Sequence, residues 1–214
     1  MSHTTRRLTA LGTATLAAGA AVALSMTPAN AAPLVPPAPA SSLVISQVST
    51  QGPAGVTDEF VEIHNLGTQS MDISNFTVWS CTNSGQQIML ATVPSGTILS
   101  GTEDQQPDTG EFYLLAAQGY ERLMPPDLTY NGNIARTGGV LLRGAPQQGS
   151  PTGARIDSVG FSSANPCTET AAAPAQSVDF TDQAALRVND RDTNNNAFDF
   201  RRVTPAMPRN SSSS

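Results

Sequence analysis

Two apolar runs of β type, separated by a short polar connection, dominate the stretch from Asp58 to Cys81, DEFVEIHNLGTQSMDISNFTVWSC. In the first run Val61 and Ile63 alternate with Glu62 and His64, which is the period-two pattern of a strand with one buried face. The second run crowds one face with large apolar side chains, namely Ile73, Phe76, Val78 and Trp79. The stretch therefore predicts two paired strands, and it contains no catalytic signature.

The rest of the chain continues this pattern, with short apolar runs between turn residues. No segment keeps a 3.6-residue period, and Pro and Gly are too frequent for long helices, so at most one helical turn is expected, at Gln118–Leu123 or Asp182–Leu186. An irregularity is expected near Gly160. Seven or more short strands predict an all-β, single-domain sandwich. The further candidate strands are Ser42–Thr50, Gln86–Pro94, Thr97–Leu99, Gly110–Ala117, Gly138–Gly144 and Ala154–Ser162.

Motifs at both ends of the folded region carry a family resemblance. The segments EFVEIHN, from Glu59, and DISNFT, from Asp72, match an acidic first strand and the strand that follows it. Near the C-terminus, ALRVNDRDTNNNAFDFRRVTPAMP places Arg187, Asp190, Asp192, Asn194, Asp199, Phe200, Thr204 and Pro205 in an R-x-x-D-x-D-x-N-x-x-D-F and Thr-Pro pattern. Together these segments resemble bacterial lamin tail domains over most of residues 43–208. The resemblance implies an immunoglobulin-like β-sandwich, and it names no ligand.

The N-terminal residues predict export. Arg6 and Arg7 precede an Ala-rich apolar run, and Ala29-Asn30-Ala31 offers small residues at a cleavage point, which together are typical of a signal peptide cleaved after Ala31. Sec and Tat export both remain open, because the arginine pair matches a twin-arginine signal only in part. The predicted organisation is a signal peptide at 1–31, a Pro/Ala-rich linker at 32–42, a lamin-tail-like domain at 43–208 and a disordered tail at 209–214.

The charge balance argues against nucleic acid as a partner. The chain has a net charge of −6, and loss of Arg6 and Arg7 with the signal peptide would make it more acidic. Binding to phosphates by counterion release needs a dense basic face, whereas the remaining arginines are scattered. We therefore expect a protein or a cell-envelope component as the partner of a secreted protein.

Cys81 and Cys167 are the two cysteines of the chain. In an oxidising compartment an even cysteine count favours a disulfide, which would stabilise the fold by about 4–5 kcal/mol in the chain-entropy model. A free or metal-bound thiol is the alternative, but no second cysteine or histidine lies at ligand spacing.

Alternating oxygen-bearing side chains near the C-terminus suggest a Ca²⁺ loop. The candidate ligands are Asp190, Asp192, Asn194, Asn196 and Asp199. An EF-hand loop would need Gly at Asn195 and a bidentate Glu at Arg201, so the pattern fails at both diagnostic positions. The alternative is a loop whose Asp and Asn side chains bond to its own backbone.

Catalytic groups are few, and we expect no enzyme. His64 is the single histidine after residue 31, and its alternation with Val61 and Ile63 predicts a solvated strand position. Carboxylates that could in principle act as an acid–base pair occur at Asp58, Glu59, Glu103, Asp104 and Glu111.

The least strand-like region, residues 118–136, is the candidate binding loop, with Tyr120, Arg122 and Tyr130 as its contact residues. Three functions compete on this evidence. The favoured one is a secreted, non-catalytic lamin-tail-like module that binds a protein or envelope component. The second is a Ca²⁺-dependent adhesion or carbohydrate-binding module, and the third is a secreted hydrolase.

Overall fold

The computed structural model describes residue 1 and residues 42–104 and 109–213. The predicted signal peptide and nearly all of the predicted linker lie outside the described residues. Among the described residues, no helix has the length and apolar character needed to cross a membrane.

The fold is almost entirely β, as predicted. The described residues contain a single helical turn, α1, at Asn196–Asp199, where Asn195 caps the N-terminus by accepting the Ala197 N–H. The strands are β1 Leu43–Ser49, β2 Phe60–Asn65, β3 Met71–Asp72, β4 Thr77–Cys81, β5 Gln87–Thr92, β6 Ile98–Leu99, β7 Phe112–Ala117, β8 Leu128–Tyr130, β9 Gly139–Arg143, β10 Arg155–Gly160, β11 Ala184–Arg187 and β12 Phe200–Val203.

Two main sheets enclose one apolar core, which is the arrangement of a β-sandwich. The first sheet has the strand order β12-β11-β1-β2-β7-β8 and the second has the order β10-β9-β4-β5. Val61, Ile63 and Leu115 of the first sheet share a buried cluster with Val78 and Leu142 of the second. The alternation in the sequence thus directs one face of each sheet into the core.

The predicted strands agree with the observed ones to within two residues at most ends, but four predictions are wrong. The two strands of residues 58–81 do not pair with each other, because β2 pairs with β1 and β7 in the first sheet and β4 pairs with β5 and β9 in the second. The region Asp182–Leu186 is mostly strand β11, and the helical turn forms instead at α1. Part of the supposed loop 118–136 forms β8, which pairs in parallel with β7. The irregularity of β10 lies between Arg155 and Asp157, away from Gly160.

A C-terminal segment, residues 204–213, covers part of the outer face of the first sheet. Met207 exchanges hydrogen bonds with Gln47, and Ser211 donates to the Asp127 carboxylate. Asn210 is buried. Residues 209–213, predicted as a disordered tail, are therefore bound to the fold by polar contacts that the composition of the tail does not reveal.

This segment also corrects the prediction for Glu62 and His64, which were expected to face solvent. Both are buried, because Arg209 pairs with the Glu62 carboxylate at 3.0 Å and lies over the Phe112 ring. The imidazole of His64 stacks on the same ring at a centroid distance of 4.0 Å. Strand alternation correctly placed these side chains away from the core, but it could not show that a later segment covers them.

Candidate functional site

Arg187 is the centre of a buried ion-pair network that includes Asp192 and Asp199 of the C-terminal motif. Its guanidinium lies 2.6 Å from Asp157 Oδ2, 3.3 Å from Asp199 Oδ2 and 3.6 Å from Asp192 Oδ1. All four side chains are almost fully buried. The guanidinium also lies over the Phe200 ring, at 4.6 Å from its centroid. Three carboxylates around one arginine form a network in which each charge has a partner, as burial of charge requires.

Irregular strand pairing helps to form this network. β1 shifts register between Ile45 and Gln47, and β10 does so between Arg155 and Asp157. Asp157 Oδ2 accepts the Ile45 N–H at 2.6 Å, and the Arg187 Nε–H donates to the Ile45 carbonyl at 2.9 Å. A bulge frees backbone groups from the ladder, and here side chains from β10 and β11 bind them.

Three carboxylates of this region lie close enough together to suggest a metal site. Asp157, Glu169 and Asp192 each offer an oxygen within 4.8 Å of the others. However, Arg187 contacts Asp157 and Asp192, and Glu169 accepts from Arg155 and from the Asn196 amide. Burial raises the pKa of Asp157 to about 7, although Arg187 opposes this effect, and burial also raises the pKa of Glu169. The cation at this cluster is therefore a guanidinium.

The five predicted Ca²⁺ ligands do not form one set, although Asp192 and Asp199 meet at Arg187. Asp190 is largely exposed and lies beside His64, whereas Asp199 accepts from Thr193 within its own loop. Asp192 accepts the Asn194 N–H at 3.0 Å. The Asn196 side chain is completely buried. Its amide oxygen accepts hydrogen bonds from the Gly160 and Glu169 N–H groups, and its amide nitrogen donates to the Ser158 carbonyl. These contacts match the alternative of a loop that bonds to itself and to the sheet.

His64 faces two carboxylates. Its Nε2 lies 3.4 Å from Glu111 Oε2, and its Nδ1 lies 3.5 Å from Asp190 Oδ1. Burial lowers the pKa of His64, against the opposing effects of Asp190 and Glu111. The ring is covered by Phe112 on one side, and no serine or cysteine of the described residues forms a hydrogen bond with it. His64 is therefore a packed side chain whose ring nitrogens face carboxylates.

The candidate carboxylate pair Asp58–Glu59 is divided between two structural roles. Asp58 binds Arg122, with Nε at 3.3 Å. Glu59 accepts the Ile134 N–H at 2.7 Å and the Asn133 amide at 3.0 Å. Burial without a cationic partner raises the pKa of Glu59 to about 8. Asp58 and Glu59, which directly precede β2, are therefore each held by different partners.

The three residues predicted to contact a ligand in the 118–136 loop are used inside the fold. The Arg122 side chain is only 9% exposed and also bonds Asp182. Tyr120 packs edge-on against Phe60 and donates its hydroxyl to the Met124 carbonyl. Tyr130 belongs to the central core. The loop is therefore fixed by these side chains, and only Leu123 among its large apolar residues is fully exposed.

An open groove lies on the outer face of the second sheet, around Trp79. Its volume is about 460 Å³, and it is lined by uncharged side chains only: Asn75, Thr77, Trp79, Met89, Thr92, Ala145, Pro146, Pro151 and Thr152. Trp79 and Met89 are direct neighbours on β4 and β5. The Trp79 indole N–H donates to Thr77 Oγ1 at 2.8 Å, so its polar group is satisfied. An uncharged groove with an aromatic floor and a flexible Met at its edge has the composition of a recognition surface.

The disulfide fixes the position of the groove. Cys81 and Cys167 are bonded as predicted, and together with Leu141 they form a small buried cluster against which Trp79 packs. Trp79 lies two residues before Cys81 in the sequence. The groove itself was missed, because its walls come from β4, from β5 and from the 145–152 connection, which are separate in sequence.

Comparison with known protein families and with curated proteins finds no match for this chain.

Proposed function

We propose that this protein is an exported, non-catalytic module of lamin-tail type, which recognises a protein partner through the Trp79 groove. The groove is the single observation that carries this proposal. It is the place where aromatic and apolar side chains are presented to solvent on a rigid sheet, with no charged residue in its lining. Proteins bind one another most strongly where such side chains can be desolvated together.

The distribution of titratable groups supports a non-catalytic role. His64 stacks on Phe112, Asp157 pairs with Arg187, and Glu59 accepts hydrogen bonds from Asn133 and the Ile134 N–H, so each group is already engaged inside the fold. A general base must reach the proton that it removes. The disulfide supports export, because such bonds persist mainly in oxidising compartments. The lamin-tail assignment rests on the sequence motifs and on the all-β sandwich.

The proposal is testable because Trp79 is the only tryptophan of the chain, so its emission reports on the groove alone. The probes are capped, uncharged heptapeptides with Leu, Met or Phe at alternate positions. We expect at least one of them to shift the emission saturably. Met89→Glu, which places a charge at the edge of the groove, should weaken this binding at least tenfold.

The matched control is Val178→Glu, since Val178 is more exposed than Met89 and does not line the groove. It should bind like the wild type. If no peptide in the panel gives a saturable change, or if both variants lose binding equally, the proposal is wrong.

A neutral carbohydrate is the second candidate ligand, and a specific feature favours it. Beside the indole, Asn75, Thr92 and Thr152 offer uncharged hydrogen-bonding groups, which suit a sugar stacked on Trp79. Cellohexaose and chitohexaose are the probes. A saturable emission change with either sugar and none with the peptides would replace the protein partner with a glycan.

A further inference from the structure

Strand β5 is an edge of the second sheet, and it lacks the features that normally protect an edge. The edge strand β10 carries Arg155 and Asp157, β12 carries Arg201 and Arg202, and β8 has only three residues. β5, with the sequence QIMLAT, has six residues, no charge and no proline. Natural sheets usually keep other chains away from their edges with charges, prolines or very short strands.

The backbone of β5 presents groups for pairing. The Thr82 N–H donates to the Gln86 carbonyl, so the backbone of residue 86 faces β4. In an antiparallel ladder the direction alternates, so Ile88 also faces β4, whereas Gln87 and Met89 direct their N–H and C=O groups outward. Within the described residues, no strand pairs with β5 on that side. The pairing of β5 with β4 has one register shift, at Leu90, which has no partner between the Met89 and Ala91 pairs. It lies after residues 86–89, so it does not change the direction of their backbone groups.

The side chains of β5 are apolar on both faces. Ile88 and Met89 are each 51% exposed, and they point to opposite faces of the sheet. Met89 extends the apolar surface of Trp79, its cross-strand neighbour. Pairing with a partner strand would cover Ile88 on one face and Met89 on the other.

We propose that β5 pairs antiparallel with β5 of a second copy of this chain. Antiparallel pairing about a two-fold axis is self-complementary, and an uncharged strand places no like charges opposite each other. This matters because two copies of a chain with a net charge of −6 repel each other overall, and an uncharged contact adds nothing to that repulsion. The two four-stranded sheets would then form one continuous eight-stranded sheet.

Such a dimer places two Trp79 grooves side by side on the same face of the joined sheet, because the two-fold axis is perpendicular to that sheet. Two linked sites bind a repetitive ligand more tightly than one site does. This doubling rests on the proposed function, whereas the pairing itself does not. The contact is smaller than a standard interface, so the dimer should be weak and dependent on concentration.

Sedimentation equilibrium of the purified protein, up to about 1 mM, tests the pairing. We expect a reversible monomer–dimer equilibrium. Met89→Pro removes the outward N–H together with the side chain, and proline is tolerated where the N–H of an edge strand faces solvent. It should weaken the dimer at least tenfold. Met89→Ala keeps the N–H and should weaken it less.

Ile88→Lys is a second variant, which leaves the backbone ladder intact and places two like charges across the dimer axis. It should also be monomeric. A wild type that stays monomeric throughout, or a dimer that Met89→Pro and Ile88→Lys leave unchanged, would overturn the pairing. A monomer that still binds the peptides refutes only the dimer, and a dimer that binds none refutes only the proposed ligand.

Discussion

The Arg187 network and the Trp79 groove are opposite kinds of surface built on the same sandwich. The network holds three carboxylates and a guanidinium that are almost fully buried and bonded to one another. The groove has no charged residue and is open to solvent. The charged residues of the C-terminal motif thus contribute to a buried network that holds the fold together. Neutral residues from separate segments form the groove that is open to solvent.

The difference follows from what burial costs. Charged side chains can be buried only with partners that satisfy them, so a run such as Asp190 to Asp199 is held in place by many specific contacts and leaves few of its groups for a ligand. Apolar side chains have no such requirement, and exposing them is unfavourable unless another molecule covers them. The comparison predicts that substitutions in the network act on stability, whereas substitutions in the groove act on binding.

The largest stability effect should come from Arg187→Leu. It leaves Asp157, Asp192 and Asp199 buried without their cation, which typically costs about 3–5 kcal/mol. Urea denaturation measures the free energy of unfolding. Arg191→Leu, on the exposed part of the same loop, is the control, and it should change that free energy by less than about 0.5 kcal/mol. Equal effects would show that the network is not the support that we describe.

Removing the disulfide links the two regions, because Trp79 packs on it. The double variant Cys81→Ser, Cys167→Ser should lose about 2–4 kcal/mol of stability. We also expect its Trp79 emission in the folded state to shift to the red, since the floor of the groove loses its support. A variant with wild-type stability and emission would contradict the role given to this bond.

Glu59 gives a pH dependence of moderate size. Its pKa is raised from 4.5 to about 8, so between these values the native state holds a proton that the unfolded state has released. Its contribution to stability is therefore present below about pH 4.5 and is lost as the pH rises through about 8. The Glu59→Gln side chain stays neutral at every pH, so this variant should lose less stability as the pH rises. The difference between the two proteins in the free energy of unfolding should grow by about 3 kcal/mol from pH 5 to pH 8.5 in urea denaturation. Parallel pH profiles would rule out a buried, protonated Glu59.

The smallest effect should come from Asp190→Asn. Asp190 is exposed, and its contact with His64 should contribute less than about 1 kcal/mol to the free energy of unfolding. Asp199→Asn, at another position of the same sequence pattern, should cost clearly more, because Asp199 accepts from Thr193 and from Arg187. If the two substitutions have equal cost, the structural difference between these two aspartates is not real.

Local pattern was sufficient for most of the strands, although it did not predict β8, β11 and β12. Val61 and Ile63 face the core as their alternation predicts, and the strong apolar run at residues 112–117 is β7. The disulfide followed from cysteine count and predicted compartment. Strand alternation depends on neighbouring residues, and the disulfide depends on one pair of cysteines. Both can be read directly from the sequence.

The polar sites depended on contacts that are distant in sequence. Arg187 meets Asp157 across 30 positions, and Arg209 covers Glu62 across 147. The Trp79 groove needs the 145–152 connection beside β5. Alternation and motif spacing carry no information about which later segment covers a strand face. His64 could therefore be placed on the outer face of its strand, but its burial could not be predicted.

Ligand-induced change in the thermal unfolding midpoint tests the contrast between the two regions most directly. The wild type is unfolded with no addition, with excess Ca²⁺ and with the tightest-binding capped heptapeptide, each compared with EDTA. A ligand of the native state raises the midpoint by mass action. We expect the peptide to raise it by several degrees and Ca²⁺ to leave it unchanged. A midpoint that rises with Ca²⁺ and not with any peptide would place ligand recognition in the acidic network and contradict the assignment to the Trp79 groove.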